Sequence, residues 1–139
     1  MLKIYYWASN TKGNSGEGIL ALNFLSLLKK KYKNYKFINL NKFSYKENFF
    51  YNYILPYIGA FKLWQHHLSG EKICYINYLP IWNFLLFLVL PKNTILGPIT
   101  GTNIKKNYIY RILKHIGIFI LKKNNKILFS HNQFRKYFK

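Results

Sequence analysis

Aspartate is missing from this sequence altogether, and its only carboxylates are Glu17, Glu47 and Glu71. That shortage argues against the paired-carboxylate chemistry of glycosidases. It also leaves few hard ligands for a metal. His66-His67 has no Cys, Asp or Glu at ligand spacing, so neither a metal site nor a cofactor is expected. The single cysteine, Cys74, excludes an internal disulfide and reads as a small core residue of an apolar strand. Long hydrophobic runs are lacking too: Ile81 to Leu90, around Asn83, is too short to span a bilayer. The N-terminus passes straight into a strand-like run without the basic start, apolar core and cleavage site of a secretory leader. The expected setting is cytoplasmic, with peripheral attachment to the inner face of the cytoplasmic membrane as an option.

What is present is apolar, aromatic and basic. The 139 residues suit one domain, 1–139, and half of them are hydrophobic, enough for a real core. Lys and Arg number 22, for a net charge of +19. Such a surface attracts phosphates, nucleic acid or an anionic membrane. Lys, Asn, Ile, Tyr and Phe all have AT-rich codons, so a low-GC genome accounts for part of the bias.

Strand-like and helix-like segments alternate. Leu2 to Ala8 is a mostly apolar run, as in a strand covered on both faces. A polar, glycine-rich stretch from Ser9 to Gly18 leads into a helix over Ile19 to Lys31. Ile19, Leu22, Leu25 and Leu28 recur there, widened by Leu20, Phe24 and Leu27, which predicts burial around much of its circumference. Lys36 to Leu40 reads as a second strand. Phe49 to Leu68 is helical in pattern with a break expected near Pro56 and Gly59, and Gly70 closes it. Its aromatic stripe, Phe49 to Trp64, reads as core packing rather than a base-stacking platform. Lys72 to Tyr78 is a third strand, Ile81 to Leu90 a short buried helix, and Thr94 to Gly97 a fourth strand. A helix over Lys106 to Lys122 places Ile109, Ile112, Ile116, Phe119 and Ile120 on one face and Arg111, Lys114, His115 and Lys122 on another. Lys126 to Phe129 is a fifth strand, and Ser130 caps a last helix. The sum is an α/β class domain: a parallel sheet of about five strands, the first central, with helices on both faces.

In an open parallel sheet the ligand crevice lies beyond the carboxyl ends of the strands. Two loops fall there. The first contains Lys12, Gly13, Asn14, Ser15, Gly16, Glu17 and Gly18 and opens a helix, where glycine permits close approach and helix-start amides favour an anion. An ordinary strand–helix turn would use glycines as well. The spacing GxxGxG is not the dinucleotide fingerprint, and no Walker lysine follows. Asn39 and Asn41 stand where an NAD site needs a carboxylate, which disfavours a dehydrogenase. The second loop, Gly97 to Asn103, offers Thr100, Gly101, Thr102 and Asn103 to a sugar or phosphate, though a structural turn explains it equally. His131, after the fifth strand, is either a crevice residue or a solvated histidine.

Together these segments resemble the N-terminal, acceptor-side domain of GT-B-fold glycosyltransferases. Met1 to Gly18 is similar to the opening strand and glycine-rich loop. Asn77-Tyr78-Leu79-Pro80-Ile81-Trp82-Asn83 through Leu96-Gly97-Pro98-Ile99-Thr100-Gly101 resembles a bacterial branch of the family. Ile127-Leu128-Phe129-Ser130-His131-Asn132 looks like the late strand and serine before the crossover. The resemblance implies two Rossmann-like domains facing across a cleft, the donor-binding one absent from these residues. It implies transfer from a nucleotide-sugar donor to a cell-envelope glycan or lipid-linked acceptor, with this fragment inactive alone. Lys12, Gly13, Asn14, Ser15, Gly16 and Gly18 would approach the donor diphosphate; Gly97, Thr100, Gly101, Thr102 and Asn103 the acceptor or sugar. Many relatives carry a histidine after a middle strand that this sequence lacks, leaving Glu17 and His131 as the only catalytic candidates. Arg111, Lys114 and Lys122 would face a membrane. The alternative is a non-catalytic polyanion-binding domain for membrane or nucleic acid, although nucleic acid is disfavoured by the lack of any recognisable motif.

Overall fold

The computed structural model describes residues 2–44, 46, 48–80, 84–100 and 108–123. Along them run β1 (Leu2–Ala8), α1 (Gly16–Lys31), β2 (Tyr35–Asn39), a π-helical turn (Phe50–Ile54), α2 (Leu55–Leu68), β3 (Lys72–Pro80), α3 (Phe84–Val89), β4 (Ile95–Thr100) and α4 (Tyr108–Lys122). The strands form one sheet in the order β2-β1-β3-β4, and every neighbouring pair is parallel. This is the Rossmann-like α/β architecture that the alternation predicts, with β1 in the interior. The fifth strand expected at 126–129 lies outside the described residues.

Pleating sends successive side chains to opposite faces, and both faces are apolar. Ile4, Ala8, Cys74, Ile76 and Ile95 pack under α1. Trp7, Ile73, Tyr75 and Leu96 face the other way, toward α2, α3 and α4. Each large side chain fully buried there contributes roughly 1.5–3 kcal/mol.

Three details differ from the sequence reading. Helix α1 begins at Gly16, inside the glycine-rich stretch, because Ser15 caps it: its side chain accepts from the Gly18 amide. It buries Ala21, Phe24, Leu25 and Leu28 and leaves Ile19, Leu22 and Leu27 exposed. A spacing of three drifts round a helix of 3.6 residues per turn, so the face is one stripe and not most of the circumference.

The break in the second helical region lies before Pro56. Leu55 donates its amide to the Phe50 carbonyl, five residues back, and Pro56 then sits in the first turn of α2, where a missing N–H costs nothing. Gly59 keeps the helix regular and serves packing instead: a Cβ on it would lie 2.4 Å from the Trp7 indole nitrogen. Gly70, at φ +73°, closes α2 as expected. The aromatic stripe is core only in part: Tyr51 and Tyr57 pack against the core, whereas Phe49, Phe50, Tyr53, Phe61 and Trp64 are exposed.

Strand β4 continues to Thr100, so Gly97, Pro98, Ile99 and Thr100 belong to the sheet and not to a loop. The register steps three residues on β3, Ile76 to Leu79, against two on β4, Gly97 to Ile99. The extra residue on β3 forms a bulge opposite Pro98, where proline has no amide to give the ladder.

Candidate ligand crevice at the carboxyl edge of the sheet

From β1 the chain crosses to β2 on one side, and from β2 to β3 on the other. The carboxyl ends of β1 and β3 therefore flank a topological switch point, where open α/β sheets form their crevice. The residue after β1, Ser9, and the next, Asn10, are buried polar groups. Asn10 holds the following loop together. Its Oδ1 accepts from the Lys12 amide at 2.9 Å, and its Nδ2 donates to the Ser15 hydroxyl at 2.9 Å. The Ser15 hydroxyl in turn accepts from the Gly18 amide at 3.0 Å. Strand, loop and helix start are thus fixed by one chain of side-chain hydrogen bonds, so the loop is shaped before any ligand arrives.

The three glycines of this loop have different reasons to be glycine. A Cβ at Gly18 would stand 1.8 Å from the Lys12 carbonyl oxygen; the residue is buried and its smallness serves the protein's own backbone. At Gly16 a Cβ meets nothing within 4 Å, and at Gly13 only the tip of Leu22 at 4.0 Å. Neither of these two has a positive φ. Open space without backbone strain is what a closely approaching ligand would require. Lys12, Asn14 and Glu17 are exposed along the same loop. Glu17 occupies the first turn of α1, where its charge favours the helix start; the capping itself falls to Ser15.

Two residues beyond β2 stands Asn41, where an NAD site needs a carboxylate. Asn41 Nδ2 donates to the Ala8 carbonyl at 2.7 Å, tying the exit of β2 to the exit of β1. Its Oδ1 accepts from the Phe43 amide, and the Asn39 side chain accepts from the Asn41 amide. Two asparagines spaced two apart are a legible turn signal; the cross-strand reach is not. Lys62 extends its ammonium to the Leu40 carbonyl at 3.5 Å and lies over the rings of Trp7 and Phe43. Beside it the π-helical turn and α2 enclose an open groove of about 530 Å³ lined by Tyr53, Ile54, Tyr57, Ile58, Phe61, Lys62 and Gln65. The groove is apolar, with one cation and one amide among its walls.

The second loop contributes less than its sequence suggests. Gly97 is buried within β4, and Thr100 ends that strand. Gly101, Thr102 and Asn103 lie outside the described residues, as does His131. On α4, Arg111, His115 and Lys122 are exposed and Lys114 is half-buried. A further pair, not signalled by the sequence, lies away from the crevice. His66 Nδ1 lies 2.6 Å from a Glu71 oxygen, and its ring stacks on Tyr5 at 3.8 Å.

Among the described residues no cluster of three or more potential metal ligands occurs, and no helix is long and apolar enough to cross a membrane. No family model matches this sequence, no curated protein matches it, and no solved structure matches it.

Proposed function

We propose that these residues form the acceptor-side half of a GT-B glycosyltransferase that moves a sugar from a nucleotide-sugar donor to a cell-envelope glycan or lipid-linked acceptor. The observation that carries the reading is the preorganised loop beyond β1, with Gly13 and Gly16 bordered by open space at the head of α1. In such a reaction a diphosphate leaves, and catalysis rests on stabilising its growing negative charge. The Gly16 and Glu17 amides at the head of α1, with Lys12 exposed in the loop before them, would supply that stabilisation. The apolar groove beside Lys62 suits an acceptor with a hydrophobic portion, and its Gln65 and Lys62 supply the polar contacts.

The test uses the open glycines. Gly16→Ala has room for its methyl group and, within a helix, gains roughly 0.5–1 kcal/mol over glycine. The variant should fold at least as well as the parent. Its binding of a nucleoside diphosphate or of inorganic diphosphate, followed by amide shifts, should weaken by about tenfold, equivalent to about 1.4 kcal/mol. Unchanged binding in Gly16→Ala and Gly13→Ala, or no shifts between Lys12 and Gly18, removes the reading. The purified 139 residues should show no sugar transfer in a turnover assay, because the donor-binding half is not among them. Robust transfer would place the whole active site here instead.

The net charge of +19 favours a second reading, a non-catalytic polyanion-binding domain. It predicts affinity for single-stranded nucleic acid that falls steeply with salt and ignores the glycine substitutions.

A further inference from the structure

Helix α4 packs on the domain through Gly117, Ile118 and Leu121, which are buried. The opposite side is largely apolar, and no other described residue covers it. Ile109, Ile112, Ile116 and Phe119 are 62, 44, 38 and 62% exposed, and their spacing puts them in one stripe along the helix. The neighbouring helix α3 adds Leu85 and Leu88, 55 and 58% exposed. Arg111, Lys122 and Lys123 are exposed beside that stripe, and the Lys123 ammonium sits 4.9 Å from the Phe119 ring centroid. From Tyr108 to Lys123 the sequence contains no acid.

We propose that this face docks the domain on an anionic lipid bilayer, the apolar stripe of α4 entering the headgroup boundary while Arg111, Lys122 and Lys123 meet the lipid phosphates. Charge complementarity selects this occupant. A second copy would bring another +19 body against a basic-edged surface, which self-repulsion opposes. Residues 124–139 of the same chain add Lys126, Arg135, Lys136 and Lys139 and no acid, so folding them over the stripe would set like charge against like. A bilayer supplies apolar depth and fixed negative charge at one surface. The 15 residues of α4 are too few to cross it, so the helix lies in the interface plane. This holds whether or not the domain transfers sugar.

The test is binding of the full chain to vesicles of phosphatidylcholine alone and of phosphatidylcholine with an equal share of phosphatidylglycerol. Binding is expected only to the anionic vesicles. Ile112→Asn combined with Phe119→Asn should lower the partition coefficient by about tenfold or more. Arg111→Gln combined with Lys122→Gln should remove much of its salt dependence. Ile19→Asn combined with Leu27→Asn, exposed on α1 at the other face of the sheet, should change nothing. Circular dichroism checks that each variant keeps the parent fold. In a Phe119→Trp variant, the new fluorescence should shift to the blue and be quenched by brominated lipid. Anionic binding without that quenching would mean attachment by charge alone and would overturn the proposal. So would a dimer in solution that the Ile112→Asn, Phe119→Asn pair dissociates.

Discussion

Gly18 and Gly59 are glycines because of what their neighbours need. At Gly18 an added methyl group meets a backbone oxygen at 1.8 Å, and backbone cannot swing aside as a side-chain tip can. The helix-propensity gain of less than about 1 kcal/mol is outweighed by an overpacking cost of roughly 1–3 kcal/mol. Gly18→Ala should therefore lower stability in urea while Gly16→Ala raises it, a difference in sign two residues apart. Gly59→Ala forces the indole of Trp7, a residue with no exposure at all, out of the core and should destabilise by a similar amount. A Trp7→Leu change should partly rescue it by clearing the space. Cys74 is fully buried, and that burial pushes its thiol pKa far up. The folded protein holds the proton while the unfolded chain loses it above about pH 8.5. Its contribution to stability is complete below that pH and declines as pH rises further. A thiol reagent at pH 8 should leave Cys74 unmodified until denaturant is added; prompt reaction in the folded protein would contradict the burial.

At the scale of elements, what was legible followed from local pattern. The bounds of β1, the start of β3, the closing role of Gly70 and the alternation of strand with helix could all be read from apolar runs and turn residues. What was not legible depended on partners far along the chain. The buried face of α1 reads too wide in sequence because Ile19, Leu22 and Leu27 are as hydrophobic as Phe24, Leu25 and Leu28; only the sheet beneath chooses between them. Strand β4 reads as ending at Gly97 because Gly and Pro together resemble a turn, whereas the bulge on β3 accommodates Pro98. Composition points the aromatic stripe from Phe49 to Trp64 at the core, yet Tyr53, Tyr57 and Phe61 border the open groove. The crevice was half readable. Its glycine-rich loop and position beyond β1 followed from sequence, while the roles of Asn10 and Asn41 required the fold to bring their partners near. One element-scale expectation follows from the capping chain. Asn10→Ala removes the acceptor of the Lys12 amide and a donor to Ser15 together, and, both bonds being part-buried, should cost about 0.5–1.5 kcal/mol for each bond lost.

For the molecule as a whole, charge and topology pull on different properties. A net charge of +19 repels itself in the compact state more than in an expanded one. Thermal unfolding should therefore move up by several degrees as salt is raised to about 1 M, where the Debye length is about 3 Å. A midpoint that falls with salt would show that attractive ion pairs dominate instead. The interior position of β1 has a separate consequence, in time rather than in energy. Its register partners are Tyr35 for Leu2 on one side and Lys72 for Ile4 on the other. During synthesis β1 emerges first and cannot be enclosed on both edges until β3 has followed it. At 5–20 residues per second, the first 80 or so residues take roughly 4–16 s. Through that interval Ile4 and Trp7 have no finished core to enter, and even once β2 has paired, the nascent chain offers one open edge of an apolar strand to whatever waits at the ribosome.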